Sequence, residues 1–142
     1  MIAAVQPFRG VAFVVLGQPI PQGSMRGFRR GATGVAIVAS NGPSLGPWRS
    51  AVTAAAVDAM NGAQAIDSPV EVKVTFTFVR PQSVKGRKYP AVKPDIDKLI
   101  RAVLDALTSV CFTDDARVVH IDAWKRYGLV PGAEITVSEV SE

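Results

Sequence analysis

The chain has 142 residues, 48% of them hydrophobic, which suits one globular domain with a modest core. A single cysteine excludes an internal disulfide framework, and without a cluster of Cys and His residues the sequence offers no zinc-type site. The formal net charge of +4 is compatible with nucleic acid as a partner, but it is also ordinary for a globular protein. We therefore expect residues 1–142 to form a single domain.

The N-terminus lacks the basic region followed by an apolar region that marks a secretory signal. The longest strongly apolar run, residues 11–16, is far too short to cross a bilayer. We therefore expect a cytoplasmic protein with no membrane partner.

Three elements are predicted in the first 60 residues. Residues 11–16 are expected to form a short buried strand, which ends at a segment rich in Pro and Gly. A glycine-rich basic segment without an acid leads to a second short strand at residues 35–38; its arginines are Arg26, Arg29 and Arg30. This segment is either a solvated hairpin loop or a flexible loop that grips the phosphate backbone, because guanidinium groups match phosphate oxygens. Residues 47–60 are predicted to be a helix, since they begin with a proline and stop at Asn-Gly.

The most regular element is the strand predicted at residues 69–80, where Val and Phe alternate with Glu, Lys and Thr. Such alternation is typical of an antiparallel strand with one buried face. The loop that follows, residues 80–93, again carries several cations and no acid, among them Arg87, Lys88 and Lys93. A loop of this kind is usually just solvated, but its direct approach to Asp95 makes DNA contact an equally good interpretation.

Half of the chain's 12 acidic residues lie between positions 93 and 127. Two acidic pairs, Asp95/Asp97 and Asp114/Asp115, bracket an amphipathic helix that starts after Asp95 and runs to about residue 109. Folding could bring the pairs together at one end of this helix. Mg²⁺ is bound in proteins by one or two carboxylates plus substrate phosphate oxygens. A carboxylate cluster on a basic protein therefore indicates a metal-dependent phosphodiesterase that acts on nucleic acid.

The polar face of this helix has an alternative interpretation. Asp97, Arg101 and Asp105 fall at positions i, i+4 and i+8, opposite the apolar face that must pack on the sheet. A row of this kind is also what a solvated helix face looks like when weak i,i+4 ion pairs stabilise it.

The strand predicted at residues 117–127 is expected to bury one face. Its core-facing side chains would be Val119, Ile121 and Ala123. Lys125 continues this face, which is an unusual position for an ammonium group unless it lies at the end of the sheet beside carboxylates.

The segments KPDIDKLIRAVLDAL, FTDDARVV and WKRYG resemble the RusA family of Holliday-junction resolvases, small endonucleases common in bacteriophages and prophages. The shared pattern is a basic-Pro-Asp-x-Asp run, an Asp-Ala-Leu near the helix end, paired aspartates before a strand and a lysine late in that strand. The resemblance covers residues 93–127 strongly, and the earlier segment GQPIPQGSMR more weakly.

The resemblance implies that Mg²⁺, with Mn²⁺ as an alternative, is bound by Asp95, Asp97 and Asp115. Two positions depart from the family pattern: Lys98 replaces the usual Asn, and Arg101 replaces the expected catalytic Lys. Arginine keeps the charge but cannot release a proton near neutral pH. The basic catalytic role therefore falls either to Arg101 or to Lys125.

The sequence as a whole predicts an α/β (α+β) domain, in which two main helices pack on a mixed, mostly antiparallel sheet of about four to five strands. The resemblance implies a Mg²⁺-dependent endodeoxyribonuclease that resolves four-way junctions by paired nicks during DNA recombination and repair, in a bacterial or phage-infected cell. It also implies a homodimer, because a two-fold symmetric junction needs two active sites. Two alternatives stay open: a flap or fork endonuclease without junction selectivity, and a catalytically silent protein that binds branched DNA.

Overall fold

The computed structural model describes residues 9–23 and 44–142 in full, and the backbone of residues 25–29 and 35–39. In chain order the elements are β1 (Gly10–Leu16), β2 (Met25–Arg29), β3 (Val35–Ala39), α1 (Leu45–Met60), β4 (Val70–Val79), α2 (Ile96–Leu107), β5 (Val118–Gly128) and β6 (Gly132–Glu139). A short 3₁₀ turn, Asp115–Arg117, directly precedes β5. Neither helix in this described part of the chain combines the length and the apolar character needed to cross a membrane.

Four strands form one sheet in the order β1–β6–β4–β5. β6 is antiparallel to both of its neighbours, so that Ile135 lies opposite Phe13 on one side and opposite Val74 on the other. β4 and β5 run parallel, with Phe76 opposite Lys125. β2 and β3 pair only with each other, as an antiparallel ribbon. The predicted fold class and the mostly antiparallel mixed sheet are thereby confirmed.

The core lies between the two helices and one face of the sheet. β4 supplies its centre, because the alternating side chains on its inner face are almost completely buried: Val70, Val72, Val74, Phe76 and Phe78. Trp48 of α1 and Leu99 of α2 belong to the same core. Since burial of one large apolar side chain contributes about 1.5–3 kcal/mol, this layer is what holds α2 in a fixed position on the sheet.

The inner face predicted for β5 is wrong in its first half. Val119 is 60% exposed and Ile121 is 42% exposed, whereas Ala123 further along the strand packs against the core. The register between β4 and β5 shifts at Val70 and Glu71, which leaves Val119 without a partner in β4. β5 is also the edge strand of the sheet, so the helices cover only the second half of its inner face.

Candidate active site

The first turn of α2 carries the first acidic pair. Asp95 occupies the N-cap position with an extended backbone (φ −70°, ψ 137°), as predicted, although its side chain makes no capping hydrogen bond. Its Oδ2 lies 3.8 Å from Nζ of Lys98. Asp97 is the second residue of the helix, and its side chain is exposed. Both carboxylates therefore lie at the positive end of the helix dipole.

The outer face of α2 presents the predicted polar row. Asp97 and Arg101 are exposed, and Asp105 is half-buried. At 1.5 Å of rise per residue, Asp97 and Asp105 lie about 12 Å apart along the helix axis. No carboxylate in the described part of the chain lies within 4.0 Å of the Arg101 guanidinium. The ion pairs of the solvated-face interpretation are therefore not formed, and the charge of Arg101 is available to a ligand.

The second acidic pair follows α2 in the turn before β5. Asp114 Oδ1 accepts a hydrogen bond of 2.9 Å from the Ala116 backbone N–H, and this bond is the largest cause of a lowered pKa at Asp114. The pKa of Asp115 is raised instead, first by its hydrogen bond with the Asp114 carboxyl group and further by the negative charges of Asp114 and Asp105. Asp105 near the end of α2 and the Asp114/Asp115 pair after the helix thus form one acidic group. A proton or a cation would relieve their repulsion.

A carboxylate distant in sequence holds this turn in place. Asp67 Oδ1 accepts a 2.7 Å hydrogen bond from the Thr113 hydroxyl group and a 3.0 Å bond from Arg117 Nε. These two partners keep the pKa of Asp67 below its ordinary value, with Thr113 the larger cause. The Thr113 backbone N–H also donates to the Ile66 carbonyl oxygen at 3.0 Å. Asp67 therefore secures both ends of the segment that carries Asp114 and Asp115.

Sequence reasoning missed Asp67, and a local pattern gave no sign of it. Thr113 and Asp67 are 46 positions apart, and Arg117 and Asp67 are 50 apart. Only the pairing of Ile66 with Phe112 in the fold brings the two segments together.

Lys125 lies on the inner face of β5, at the end of the sheet, as predicted. Its Nζ donates hydrogen bonds to two backbone carbonyl oxygens, of Val92 at 2.7 Å and of Pro94 at 2.9 Å. The partners of the ammonium group are thus carbonyls and not the predicted carboxylates. Because Pro94 directly precedes Asp95, Lys125 fixes the backbone from which the first acidic pair projects.

The predicted DNA-binding residues fall into two groups. Arg87, Lys88 and Lys93 are exposed in the loop between β4 and α2. The Lys88 carbonyl oxygen accepts a 3.0 Å hydrogen bond from the Tyr127 backbone N–H, which ties this loop to the end of β5. The other group, Arg26, Arg29 and Arg30, lies in and after β2, where the side chains are outside the described residues.

The donor chemistry of the site suits a hard cation, but the carboxylates form two groups. Asp95 and Asp97 lie at the start of α2, whereas Asp105 lies near its end and Asp115 lies beyond that end. Within the described residues, no set of three or more His, Cys, Asp or Glu side chains is close enough to hold a metal. Asp95, Asp97 and Asp115 thus do not form a single three-carboxylate cluster, because the length of α2 separates them. One or two carboxylates completed by phosphate oxygens are the usual protein ligands of Mg²⁺, and each group offers that number.

Comparison with known families decides the assignment. The family model described as endodeoxyribonuclease RusA matches residues 17–138, which is most of the chain and includes every site residue described above. The protein belongs to the RusA endodeoxyribonuclease family. This RusA-family chain is also 29% identical over 142 residues to an uncharacterized protein, YqaN, of Bacillus subtilis (strain 168). The match covers 92% of this chain and 97% of that relative.

The two departures from the RusA pattern have different surroundings. Lys98 is half-buried and lies near Asp95, so it lowers the net negative charge of the first acidic pair. Its carbonyl oxygen accepts a 2.9 Å hydrogen bond from the Gln22 backbone N–H, which joins the early GQPIPQG segment to the first turn of α2. Arg101 is exposed midway between the two acidic groups.

Proposed function

We propose that the protein is a Mg²⁺-dependent, structure-specific endodeoxyribonuclease that resolves four-way DNA junctions by paired nicks during recombination and repair. The observation that carries the proposal is the row along α2, where two acidic groups flank the exposed Arg101 in a member of an endodeoxyribonuclease family. Such an arrangement offers cation ligands at both ends and a fixed positive charge between them. A bacterial or phage-infected cell is the proposed setting.

Asp95 and Asp97 at the start of α2 and Asp115 beyond its other end are the proposed metal ligands, with phosphate oxygens and water completing the coordination in each group. When bound, Mg²⁺ would neutralise charge on the scissile phosphate and activate a water molecule, and Mn²⁺ is an alternative ion. Asp67 has a positioning role, since it holds the turn that carries Asp115.

The two cations have distinct proposed roles. Arg101 stabilises the negative charge that builds up on the phosphate, because its guanidinium group is exposed and no carboxylate of the described residues pairs with it. Lys125 already donates to two carbonyl oxygens, and its main role is to position the backbone before Asp95. General acid chemistry by Arg101 is excluded, because arginine stays protonated near neutral pH.

A homodimer is part of the proposal. A four-way junction is two-fold symmetric, and its resolution requires nicks in two opposing strands. One chain carries one copy of the α2 row, so two chains related by a dyad would supply the two sites. The exposed Arg87, Lys88 and Lys93 then contact phosphates next to each site.

The function is tested with a panel of labelled substrates: a four-way junction, a flap, a fork and a linear duplex, each incubated with Mg²⁺ or with EDTA. We expect nicks in the junction with Mg²⁺ only, and little cutting of linear duplex. Equal cutting of flap, fork and junction would instead support an endonuclease without junction selectivity. The Lys98 and Arg101 departures favour one further candidate, a silent branched-DNA-binding protein, which would bind the junction and cut none of the four.

A further inference from the structure

Two aromatic side chains, one on β5 and one on the β4–α2 loop, form an exposed pair. Trp124 of β5 is 47% exposed and Tyr89 of the β4–α2 loop is 48% exposed, and their ring centroids lie 6.0 Å apart at an angle of 34°. The sequence contains two tryptophans, and the other one, Trp48, is only 4% exposed in the core. Large aromatic rings are usually buried, so an exposed pair in contact indicates a surface that receives a ligand.

The position of Trp124 explains why the fold leaves it open. Trp124 lies opposite Thr75 of β4, on the face of the sheet that points away from both helices. No helix in the described part of the chain covers this face, since α1 and α2 both pack on the other side. β5 is an edge strand, and Tyr89 reaches Trp124 from the loop that runs along this edge.

Cations lie next to the aromatic pair. The guanidinium carbon of Arg126 lies 5.4 Å from the centre of the Trp124 ring. Arg87 and Lys88 are exposed on the same loop as Tyr89. Aromatic rings that alternate with cations are characteristic of proteins that bind unpaired nucleotides, in which bases stack on the rings and phosphates contact the charges.

Hydrogen bonds fix the loop that carries Tyr89 to β5 at two places. Lys125 donates to the carbonyl oxygens of Val92 and Pro94, just before Asp95. The Lys88 carbonyl oxygen, next to Tyr89, accepts from the Tyr127 backbone N–H. Tyr89 is therefore held beside Trp124 by a loop that continues directly to Asp95 at the start of α2.

We propose that Tyr89 and Trp124 form a stacking platform for nucleobases whose faces are exposed at the branch point of DNA, with Arg126 supporting the Trp124 ring. The inference rests on the proposed function and adds a means of recognising branched DNA: duplex arms keep their bases stacked internally, whereas bases at a branch point are free to stack on protein. Asp122 and Glu134 lie on this face too, but Arg126, Arg87 and Lys88 outnumber them. The excess of positive charge favours DNA over a second copy of the chain, because two such surfaces would repel each other.

Junction and duplex binding in EDTA, measured for Trp124→Ala, Trp124→Phe and Tyr89→Ala, tests the proposal. Each alanine variant should bind the junction about 5- to 100-fold more weakly, with duplex affinity changed by less than about twofold. Trp124→Phe should keep most junction affinity, because phenylalanine retains a stacking face. Val119→Ala is the matched control, since Val119 is an exposed apolar residue of the same strand, and it should bind like the wild type. In the wild type, junction should quench the Trp124 emission more strongly than duplex does.

Wild-type junction affinity in both alanine variants would overturn the stacking platform, as would an equal loss of affinity for duplex and junction. A change in sedimentation without a change in DNA affinity would show that a second copy covers the surface, and would overturn it too. If the circular dichroism spectrum shows that Trp124→Ala is unfolded, the binding result of Tyr89→Ala decides the test, because Tyr89 lies in a loop outside the sheet. Nicking with Mg²⁺ is measured in a separate assay. If junction binding depends on Trp124 but the wild type does not nick the junction, the proposed resolvase activity is overturned and the stacking platform stands.

Discussion

Lys125→Met separates an anchoring role of this lysine from a chemical one. The substitution removes the ammonium group and keeps an unbranched side chain of similar length. It eliminates two hydrogen bonds, to the Val92 oxygen at 2.7 Å and to the Pro94 oxygen at 2.9 Å. If Lys125 mainly anchors the backbone before Asp95, the first consequence is lower stability, and reduced nicking follows from misplaced carboxylates.

The size of the effect follows from the surroundings of the two bonds. A hydrogen bond to a charged group contributes about 1.5–3 kcal/mol, and a bond exposed to water contributes less, because water replaces it. The bond to Val92 is exposed and the bond to Pro94 is half-buried. We therefore expect the free energy of unfolding to fall by about 2 kcal/mol, which lowers Tm by roughly 6 °C in a domain of this size.

The assay is urea denaturation together with junction nicking. Lys73→Met serves as the matched control, because Lys73 is an exposed strand lysine on the face of the sheet opposite to Lys125. Its Nζ lies 3.6 Å from Oε1 of Glu71. The control should lose less than about 0.5 kcal/mol and keep full nicking. An unchanged urea midpoint in Lys125→Met, combined with a loss of nicking of about 100-fold or more, would refute the anchoring role and assign Lys125 a direct part in the chemistry.

Four further outcomes are expected. Arg101→Ala should lose about 10²-fold in nicking, and Arg101→Lys should keep substantial activity, in a single-turnover assay. Asp97→Asn should abolish nicking but leave junction binding in EDTA intact or tighter, as read by gel shift. Replacement of Arg87 and Lys88 by Ala should weaken binding to all DNA forms and reduce the slope of log affinity against log salt by up to about 2. Asp67→Asn should raise the Mg²⁺ concentration needed for nicking, and it should lower the free energy of unfolding at neutral pH. Because the pKa of Asp67 is lowered in the folded state, its contribution to stability is present above the ordinary carboxyl range. The difference in unfolding free energy between variant and wild type should therefore vanish as pH falls through the folded pKa.

The sequence predicted those parts of the fold that depend on local periodicity. The alternation in β4 and the apolar face of α2 each repeat with a fixed spacing, and both elements lie within a few residues of their predicted bounds. β6 was missed, although Ala133, Ile135 and Val137 alternate with polar residues in the same way. The inner face predicted for β5 holds only in the second half of the strand, because sequence spacing shows neither the register shift at Val119 nor which strand lies at the edge of a sheet.

In the candidate site, too, the features that follow from local spacing were predicted and the contacts between distant segments were not. The two acidic pairs and the row on α2 follow from spacing along one segment, and they were predicted. The hold of Asp67 on Thr113, and the bonds of Lys125 to Val92 and Pro94, join segments more than 30 positions apart. Contacts of that kind are set by strand order and register, which a single sequence does not display. The metal set of Asp95, Asp97 and Asp115, the homodimer and the single domain remain predictions.

The central claim is that this chain cuts two opposing strands of a four-way junction in a Mg²⁺-dependent reaction. The most direct measurement uses a junction in which all four strands carry different labels, incubated with the wild-type protein in Mg²⁺ and in EDTA. We expect symmetric nicks in one pair of opposing strands with Mg²⁺, release of two duplex products, and intact strands in EDTA. Tight junction binding with all four strands uncut in Mg²⁺ and in Mn²⁺ would contradict it.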